Sequence, residues 1–153
     1  MAELGYNAIR TGIVTYLIAE LDWLTAANCL DYSPNDAEVM FGALPLVVVD
    51  YDYSKDINWV AVENGYVRGI PFMLELFVEI PKSDPTFGRA TSEELATKLN
   101  DLENVFVACP SIGGLVKNSD VTSSKLELMQ LRAVKLGVLA RWAWFSLTTL
   151  VVT

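Results

Sequence analysis

The sequence feature that most constrains the fold is a strict alternation of side chains over residues 70–81. One parity is wholly apolar and consists of Phe72, Leu74, Leu76, Val78 and Ile80. The other parity is mixed and consists of Met73, Glu75, Phe77 and Glu79. Alternate side chains of a strand point to opposite faces, so this pattern predicts a strand with one face on the core. We expect Pro81 to end it, because proline has no N–H for a ladder.

Two other stretches repeat apolar residues at three- and four-residue steps, which is typical of helices with one buried face. The first helix is predicted over 7–25, with Asn7 as its cap and the stripe Ile9, Ile13, Tyr16, Leu17, Leu21 and Leu24. The second is predicted over 91–107, with Thr91 and Glu94 as a capping box and the stripe Leu95, Leu99, Leu102 and Phe106. A short helix is also expected within 28–43, ending near Gly42.

The remaining patterns predict strands. Residues 44–53 start apolar and end with Asp50 and Asp52, which we expect on the solvent face. Asn64-Gly65 predicts a type I′ turn that joins 57–63 to 66–80 in a hairpin, with Gly69 and Pro71 at a bulge or a bend. From Lys125 the pattern fits a helix by propensity and a strand by partial alternation; we expect two antiparallel strands, one beginning near Lys125 and one over 138–152.

Single-striped helices and strands with one apolar face bury those surfaces against each other. The sequence therefore predicts one α+β domain over residues 1–153. We expect a two-layer sandwich, in which a mainly antiparallel sheet carries two helices on one face.

Composition bears on partners. Hydrophobic residues make up 52% of the chain and charged residues 20%, a balance that favours oligomerisation. Nineteen acidic residues against eleven basic ones disfavour binding to phosphates, so the charge suits a surface that DNA slides past, or simple solubility. The start Met1-Ala2-Glu3 lacks the basic region of a signal peptide. The uncharged run 142–153 is too short to span a bilayer.

Catalytic and metal-binding patterns are missing from the sequence. Histidine is absent, which removes the commonest general base and most zinc sites. Cys29 and Cys109 are expected to stay unpaired, as small hydrophobic residues. Glu75 and Glu79 would lie about 13 Å apart along a strand, too far for a catalytic pair. The acids Asp31, Asp36 and Glu38 lack the spacing of a calcium loop, and no further ligand completes a metal site at Asp50 and Asp52. We therefore expect no catalytic, cofactor-binding or metal-binding residues and no cofactor.

The order of these parts resembles that of a known family. An amphipathic helix precedes the strand Leu44-Pro45-Leu46-Val47-Val48-Val49-Asp50, a hairpin with a long alternating strand follows, and Ser92-Glu93-Glu94 lies at the start of the second helix. A glycine-containing linker then leads to a β-rich C-terminus. This layout resembles the tail terminator proteins of tailed bacteriophages, the gpU-like family, and related neck and head-completion proteins.

The resemblance implies a structural virion protein rather than an enzyme. Such proteins form a hexameric ring that caps the tail tube, stops its polymerisation and joins it to the neck. The implied partners are further copies of the chain, the tail tube protein, a neck or connector protein and the sheath protein. DNA would cross the lumen without specific binding, and no membrane is involved. A small-ligand-binding or enzymatic α+β domain is the alternative.

Aromatic residues near the predicted hairpin and in the last strand are the candidates for subunit or tube contacts, because aromatic side chains are enriched at interface centres. They are Trp59, Glu63, Asn64, Gly65 and Tyr66 of the hairpin, with Trp142 and Trp144 of the last strand. The alternative is that both tryptophans cover the core of their own subunit.

Overall fold

The computed structural model of the protein describes residues 5–32, 45–80, 89–135 and 138–152. Two helices and six strands follow one another along the chain in this order: α1 (Tyr6–Glu20), β1 (Cys29–Leu30), β2 (Leu46–Tyr51), β3 (Asn58–Val62), β4 (Gly65–Ile80), α2 (Arg89–Ala108), β5 (Asn118–Lys135) and β6 (Val138–Val152). The helix expected within 28–43 falls mostly on 33–44, outside the described residues, and the two-residue strand β1 was not predicted.

The sixteen-residue strand β4 organises a six-stranded sheet. The strands lie in the order β1-β2-β4-β6-β5, and β3 pairs with the first part of β4, on the side that β2 occupies further along. Only the short β1·β2 pair is parallel among the described pairs. Both helices pack on one face of this sheet, so the predicted α+β sandwich is confirmed.

The core lies between the helices and the apolar parity of β4. Phe72, Leu74, Leu76 and Val78 all belong to one buried cluster with the stripes of both helices, which confirms the predicted register. On the other parity Glu79 is exposed and Glu75 is half-buried. The side chain of Ile80 and the whole of Pro81 lie outside the described residues.

Helix α1 is shorter than predicted. It starts after Gly5, so the expected cap at Asn7 is wrong. Asn7 lies in the first turn instead, where its Oδ1 accepts a 2.7 Å hydrogen bond from the hydroxyl of Tyr51. The helix ends at Glu20 because Leu21 turns to an extended backbone, with φ −116° and ψ 118°.

Helix α2 corrects the predicted capping box. Thr91 lies inside the helix and is only 2% exposed, so it does not cap the start. Glu93 pairs with Arg89 at 3.4 Å, and Glu94 pairs with Lys98 at 3.9 Å. Both are i, i+4 pairs within a helix that continues further toward the N-terminus than the pattern indicated; the first is exposed, and Lys98 of the second is half-buried. The predicted apolar stripe of this helix is buried throughout.

The predicted β3·β4 hairpin is confirmed, but its turn is not type I′. Val62 pairs with Gly65, so the turn residues are Glu63 and Asn64. A type I′ turn needs positive φ at both turn residues, whereas the described residue with positive φ here is Gly65, at 146°. Leaving this role to glycine is consistent with the steric cost of positive φ for other residues.

We expected a bulge or a bend at Gly69 and Pro71; there is no bulge, because the β4·β6 register runs without a shift through both residues. On its other side, β4 pairs with β3 up to Gly69 and with β2 from Phe72 onward. Pro71 therefore lies at the junction of two partners, where the missing N–H breaks neither ladder. Its carbonyl accepts a 3.0 Å hydrogen bond from the N–H of Asp52.

The C-terminal strands β5 and β6 are confirmed as an antiparallel pair, although β5 begins earlier than predicted. Phe145, Leu147 and Val151 of β6 join the helix-covered core, as expected. Strand β5 carries three register shifts, at Val121/Ser123, Glu127/Leu131 and Ala133/Lys135. Irregularities of this kind are usual in strands at a sheet edge.

Candidate interaction surface

The β3·β4 hairpin exposes large apolar side chains. All five residues of β3 are exposed. Trp59 is 53% exposed and Tyr66 is 50% exposed. Their rings meet edge to face with centroids 5.9 Å apart, a favourable geometry for an aromatic pair. The pair therefore forms an ordered aromatic surface on the helix side of the sheet.

A buried arginine supports this aromatic pair from below. Arg68 is 2% exposed, and its guanidinium lies 5.4 Å from the ring centroid of Trp59 and 4.9 Å from that of Tyr6. Cation–π contacts at these distances are attractive, more so when the cation is desolvated. Arg68 therefore ties the base of the hairpin to the first turn of α1.

The opposite face of the hairpin is apolar as well. Val60 and Val62 lie there and are 59% and 44% exposed. Val152 of β6 pairs with Val67, the partner of Val60, and is 52% exposed. We call the exposed set Trp59, Val60, Val62, Tyr66 and Val152 the hairpin patch. At the tip Glu63 and Asn64 are exposed and Gly65 is half-buried.

Trp142 and Trp144 lie elsewhere, on the sheet face opposite the helices. Trp142 pairs with Phe77, and their rings stack at 6.5 Å with an angle of 10° between planes. Trp144 pairs with Glu75, and both tryptophans are half-buried. Phe77 is eleven residues from Tyr66 along β4, about 35 Å in a strand. The structure thus divides the predicted contact residues into two separate groups.

Asp50 and Asp52 are buried rather than exposed to solvent, which corrects the prediction, although Asp50 pairs with Met73 on the sheet face away from the helices. Asp50 is 9% exposed and pairs with Arg10 at 3.1 Å; Asp52 is 4% exposed and pairs with Lys55 at 3.8 Å. Asp52 also accepts hydrogen bonds from the hydroxyl of Ser54 at 2.6 Å and from that of Ser146 at 3.4 Å. Buried carboxylates require such partners, and here they join the end of β2 to its surroundings.

Sequence reasoning missed a cleft of about 580 Å³ between the start of α1 and the end of β2. Tyr6, Tyr51 and Tyr53 line it, with Lys55 and Ile57. Burial raises the pKa of Tyr51, and the guanidinium of Arg10 lies 4.7 Å from the centroid of its ring. The alternation of tyrosine and aspartate over residues 50–53 is the signal that could have indicated a polar-aromatic lining.

A second group of polar side chains lies where α2 leads into β5. The hydrogen bond from Tyr16, followed by those from the N–H of Gly113 and from Ser111, lowers the pKa of the Cys109 thiol to about 7. The same bond to Cys109, together with burial, raises the pKa of Tyr16 to about 12. Burial raises the pKa of Cys29 to about 12. Both cysteines are free thiols; Cys29 is buried, as expected, whereas Cys109, also expected to be buried, is only half-buried.

Neither metal clusters nor membrane-spanning helices occur within residues 5–32, 45–80, 89–135 and 138–152. No three histidine, cysteine or carboxylate side chains converge there on a point where an ion could bind. No helix in the same ranges combines the length and the apolar character needed to cross a bilayer.

Comparison of the chain with models of known protein families gave no match, and a search of curated proteins gave no relative.

Proposed function

We propose that the protein is a structural component of the virion of a tailed bacteriophage. In this proposal copies of the chain form a hexameric ring that caps the tail tube, stops its polymerisation and joins it to the neck. The single observation that supports it most is the hairpin patch, in which three exposed apolar side chains of the edge strand β3 lie beside Tyr66 of β4 and Val152 of β6.

The hairpin patch is best explained by an assembly. The hairpin exposes apolar side chains on both of its faces, and an exposed apolar edge strand is a template for pairing with another chain. Side chains of this kind supply much of the binding energy when they become the centre of an interface. The exposed side chains are therefore explained if the protein functions by binding other protein subunits.

The net charge of −8 agrees with the same role. Phosphates bind tightly only where basic side chains neutralise them. A ring with an acidic lumen lets DNA pass from the head to the tail without holding it. The other partners are then the tail tube protein, a neck or connector protein and the sheath protein. Each of them binds to the surface of the ring and not to an active site.

A small-ligand-binding or enzymatic domain is the second candidate, and the tyrosine-lined cleft favours it. Clefts of this volume are within the range that small ligands occupy. The two candidates differ in the quaternary state that they require, because a ligand-binding domain needs no ring. Another neck or head–tail connector protein is the closest alternative within the structural class.

Electron microscopy of the purified protein, alone and mixed with polymerising tail tubes, tests the proposed function. We expect six-fold rings, and tubes that stop growing once capped.

The Trp142→Ala/Trp144→Ala double variant tests whether the second group of aromatic residues takes part in these contacts. If these residues are at an interface, the variant loses ring or tube attachment and keeps its cooperative melting transition. Unfolding of the variant would place both tryptophans in the core instead. Tubes that elongate equally with and without the wild-type protein would contradict the proposal.

A further inference from the structure

We propose that two copies of the chain pair through their β3 edges, as antiparallel strands related by a two-fold axis at Val60. The partner is a second copy of the same chain. The same surface then lies on both sides of the contact, so this contact joins two copies and no more. The inference goes beyond the proposed ring, because the pair forms with or without it, and three such pairs would supply the six chains of the ring.

The backbone of β3 is available on its outer edge. Val62 and Gly65 flank the two-residue turn, and in such a turn the carbonyl of the first residue accepts a hydrogen bond from the N–H of the fourth. Bonded and non-bonded pairs alternate along an antiparallel ladder, so Val60 also bonds to β4. Trp59 and Ala61, on either side of Val60, therefore point their N–H and C=O groups away from β4. Within the described ranges β3 pairs with no strand on that side.

A two-fold axis at Val60 makes these outward groups meet. Trp59 of each copy lies opposite Ala61 of the other, so the N–H and C=O groups of both residues complete a ladder. Val60 lies opposite Val60 of the second copy as a non-hydrogen-bonded pair, the kind in which side chains are closest. An axis moved by half a residue would set an outward-pointing residue opposite an inward-pointing one, and the ladder would not form.

The side chains on the helix side of the hairpin fit this register. Ala61 pairs with Tyr66 within one subunit and has the smallest side chain of β3. Trp59 of the second copy would lie over Ala61 and reach the ring of Tyr66. Two tryptophans and two tyrosines then form one cluster around the axis, and their exposed parts are the surface that becomes buried. Aromatic side chains at the centre of a contact supply much of its binding energy.

The other face of the hairpin fits the same register. Val60 pairs with Val67, and Val67 pairs with Val152, so three valines lie in a row across three strands. Val60 and Val152 are both more than half exposed. The two-fold axis continues this row into the second copy and covers Val60 on its open side. The contact therefore explains why this edge strand exposes apolar side chains on both of its faces.

The ends of the paired strands are polar. At each end Glu63 of one copy lies where Lys55 and Asp56 of the other copy are, and all three residues are exposed. Polar residues with charges of both signs around an apolar centre are the usual arrangement of a protein interface.

A cysteine at the axis tests the contact. Val60→Cys places two thiols opposite each other, with Cα atoms about 4.5 Å apart, which suits a disulfide. We expect oxidised glutathione to link most of this variant into pairs, measured on a denaturing gel without reductant. Val62→Cys is the matched control, because it lies on the same face but about 13 Å from its equivalent across the axis, and should link at least tenfold less. Cys29 and Cys109 are present in both variants, so linkage through them is the same in both.

Filling the space over Ala61 tests the register without a new thiol. Ala61→Glu puts a charged side chain where Trp59 of the second copy would lie, and should weaken pairing at least tenfold in analytical ultracentrifugation. Ala96→Glu, at an exposed alanine of α2, is the matched control and should stay within twofold of wild type. Far-ultraviolet circular dichroism checks that both variants keep the fold.

The outcomes separate this inference from the proposed ring. Linkage of Val60→Cys no greater than that of Val62→Cys, or pairing of Ala61→Glu at wild-type strength, would overturn the inference, and rings seen by electron microscopy would then still stand. Linkage of Val60→Cys in a protein that forms no ring, alone or on tail tubes, would support the pair and remove the ring.

Discussion

The two ends of β4 share one pattern and differ in what covers them. From Ile70 to Val78 the helix-side residues lie beneath α1 and α2 and are at most 2% exposed. Tyr66 and Arg68 continue the same parity, yet Tyr66 is half exposed and Arg68 lies between two aromatic rings. Strand alternation therefore fixes which way a side chain points, and only tertiary cover determines whether it is buried.

This difference separates stability from assembly. The covered end contributes to the free energy of unfolding of one subunit, because its side chains leave water when the chain folds. The hairpin end leaves apolar surface in contact with water. Covering that surface with another molecule would lower the free energy of the system. Substitutions at the two ends should consequently have different effects.

The largest expected effect is at the covered end. Leu76→Ala should lower the free energy of unfolding by about 2–5 kcal/mol, because it leaves a cavity in the core. Tyr66→Ala, at the same parity of the same strand, should lower it by only about 0.5–1.5 kcal/mol, because it removes the aromatic pair with Trp59 but leaves no cavity in the core. Denaturation in urea measures both. Equal losses from the two variants would show that the hairpin is part of the core of the subunit.

The buried carboxylate at the end of β2 should give an intermediate effect. Asp52→Ala removes the acceptor for Ser54 and Ser146 and the partner of Lys55. We expect a loss of about 1–3 kcal/mol, the usual effect of leaving buried polar groups without their partner. Asp56→Ala, on the exposed loop nearby, is the control. A loss for Asp52→Ala no larger than that of the control would place Asp52 in solvent, as the sequence suggested.

The smallest effect concerns the two thiols. Cys109, with its pKa lowered to about 7, should react with iodoacetamide with a midpoint near pH 7, whereas Cys29 should stay unreactive in the folded protein. Tyr16→Phe removes the main hydrogen bond and should raise the midpoint toward the ordinary value near 8.5.

The lowered pKa of Cys109 also makes the stability of the fold depend on pH. The Cys109 thiol has a lower pKa when folded than when unfolded, so its contribution to stability is complete above the unfolded value and is lost as pH falls through about 7. A midpoint for Cys109 that is the same with and without the Tyr16 hydroxyl would contradict the assigned hydrogen bond.

Periodicity predicted the parts of the fold that depend on burial. The helix stripes, the face of β4 and the last strand follow from apolar spacing, and all are present. The ends of the helices were less predictable, because a residue that is typical of an N-cap can also lie inside a longer helix. Asn7 and Thr91 are both of this type and both lie within helices.

Contacts between distant residues could not be predicted from the pattern. Asp50 was expected in solvent because its partner, Arg10, is forty positions away on α1. The role of Pro71 was unpredictable for the same reason, since the sequence does not show that β4 changes its partner from β3 to β2 there. Among the candidate contact residues, the hairpin position followed from Asn64-Gly65, but the separation from Trp142 and Trp144 required the sheet order.

Native mass spectrometry of a hairpin variant tests whether the hairpin patch holds copies of the chain together. Trp59→Ser/Tyr66→Ser keeps the strand and removes both exposed aromatic rings. We predict that wild type gives a species of six 16.9-kDa chains and that the variant gives single chains that still melt cooperatively, at a lower temperature because the aromatic pair and its contact with Arg68 are lost. A variant that forms the same six-chain species as wild type would contradict the claim.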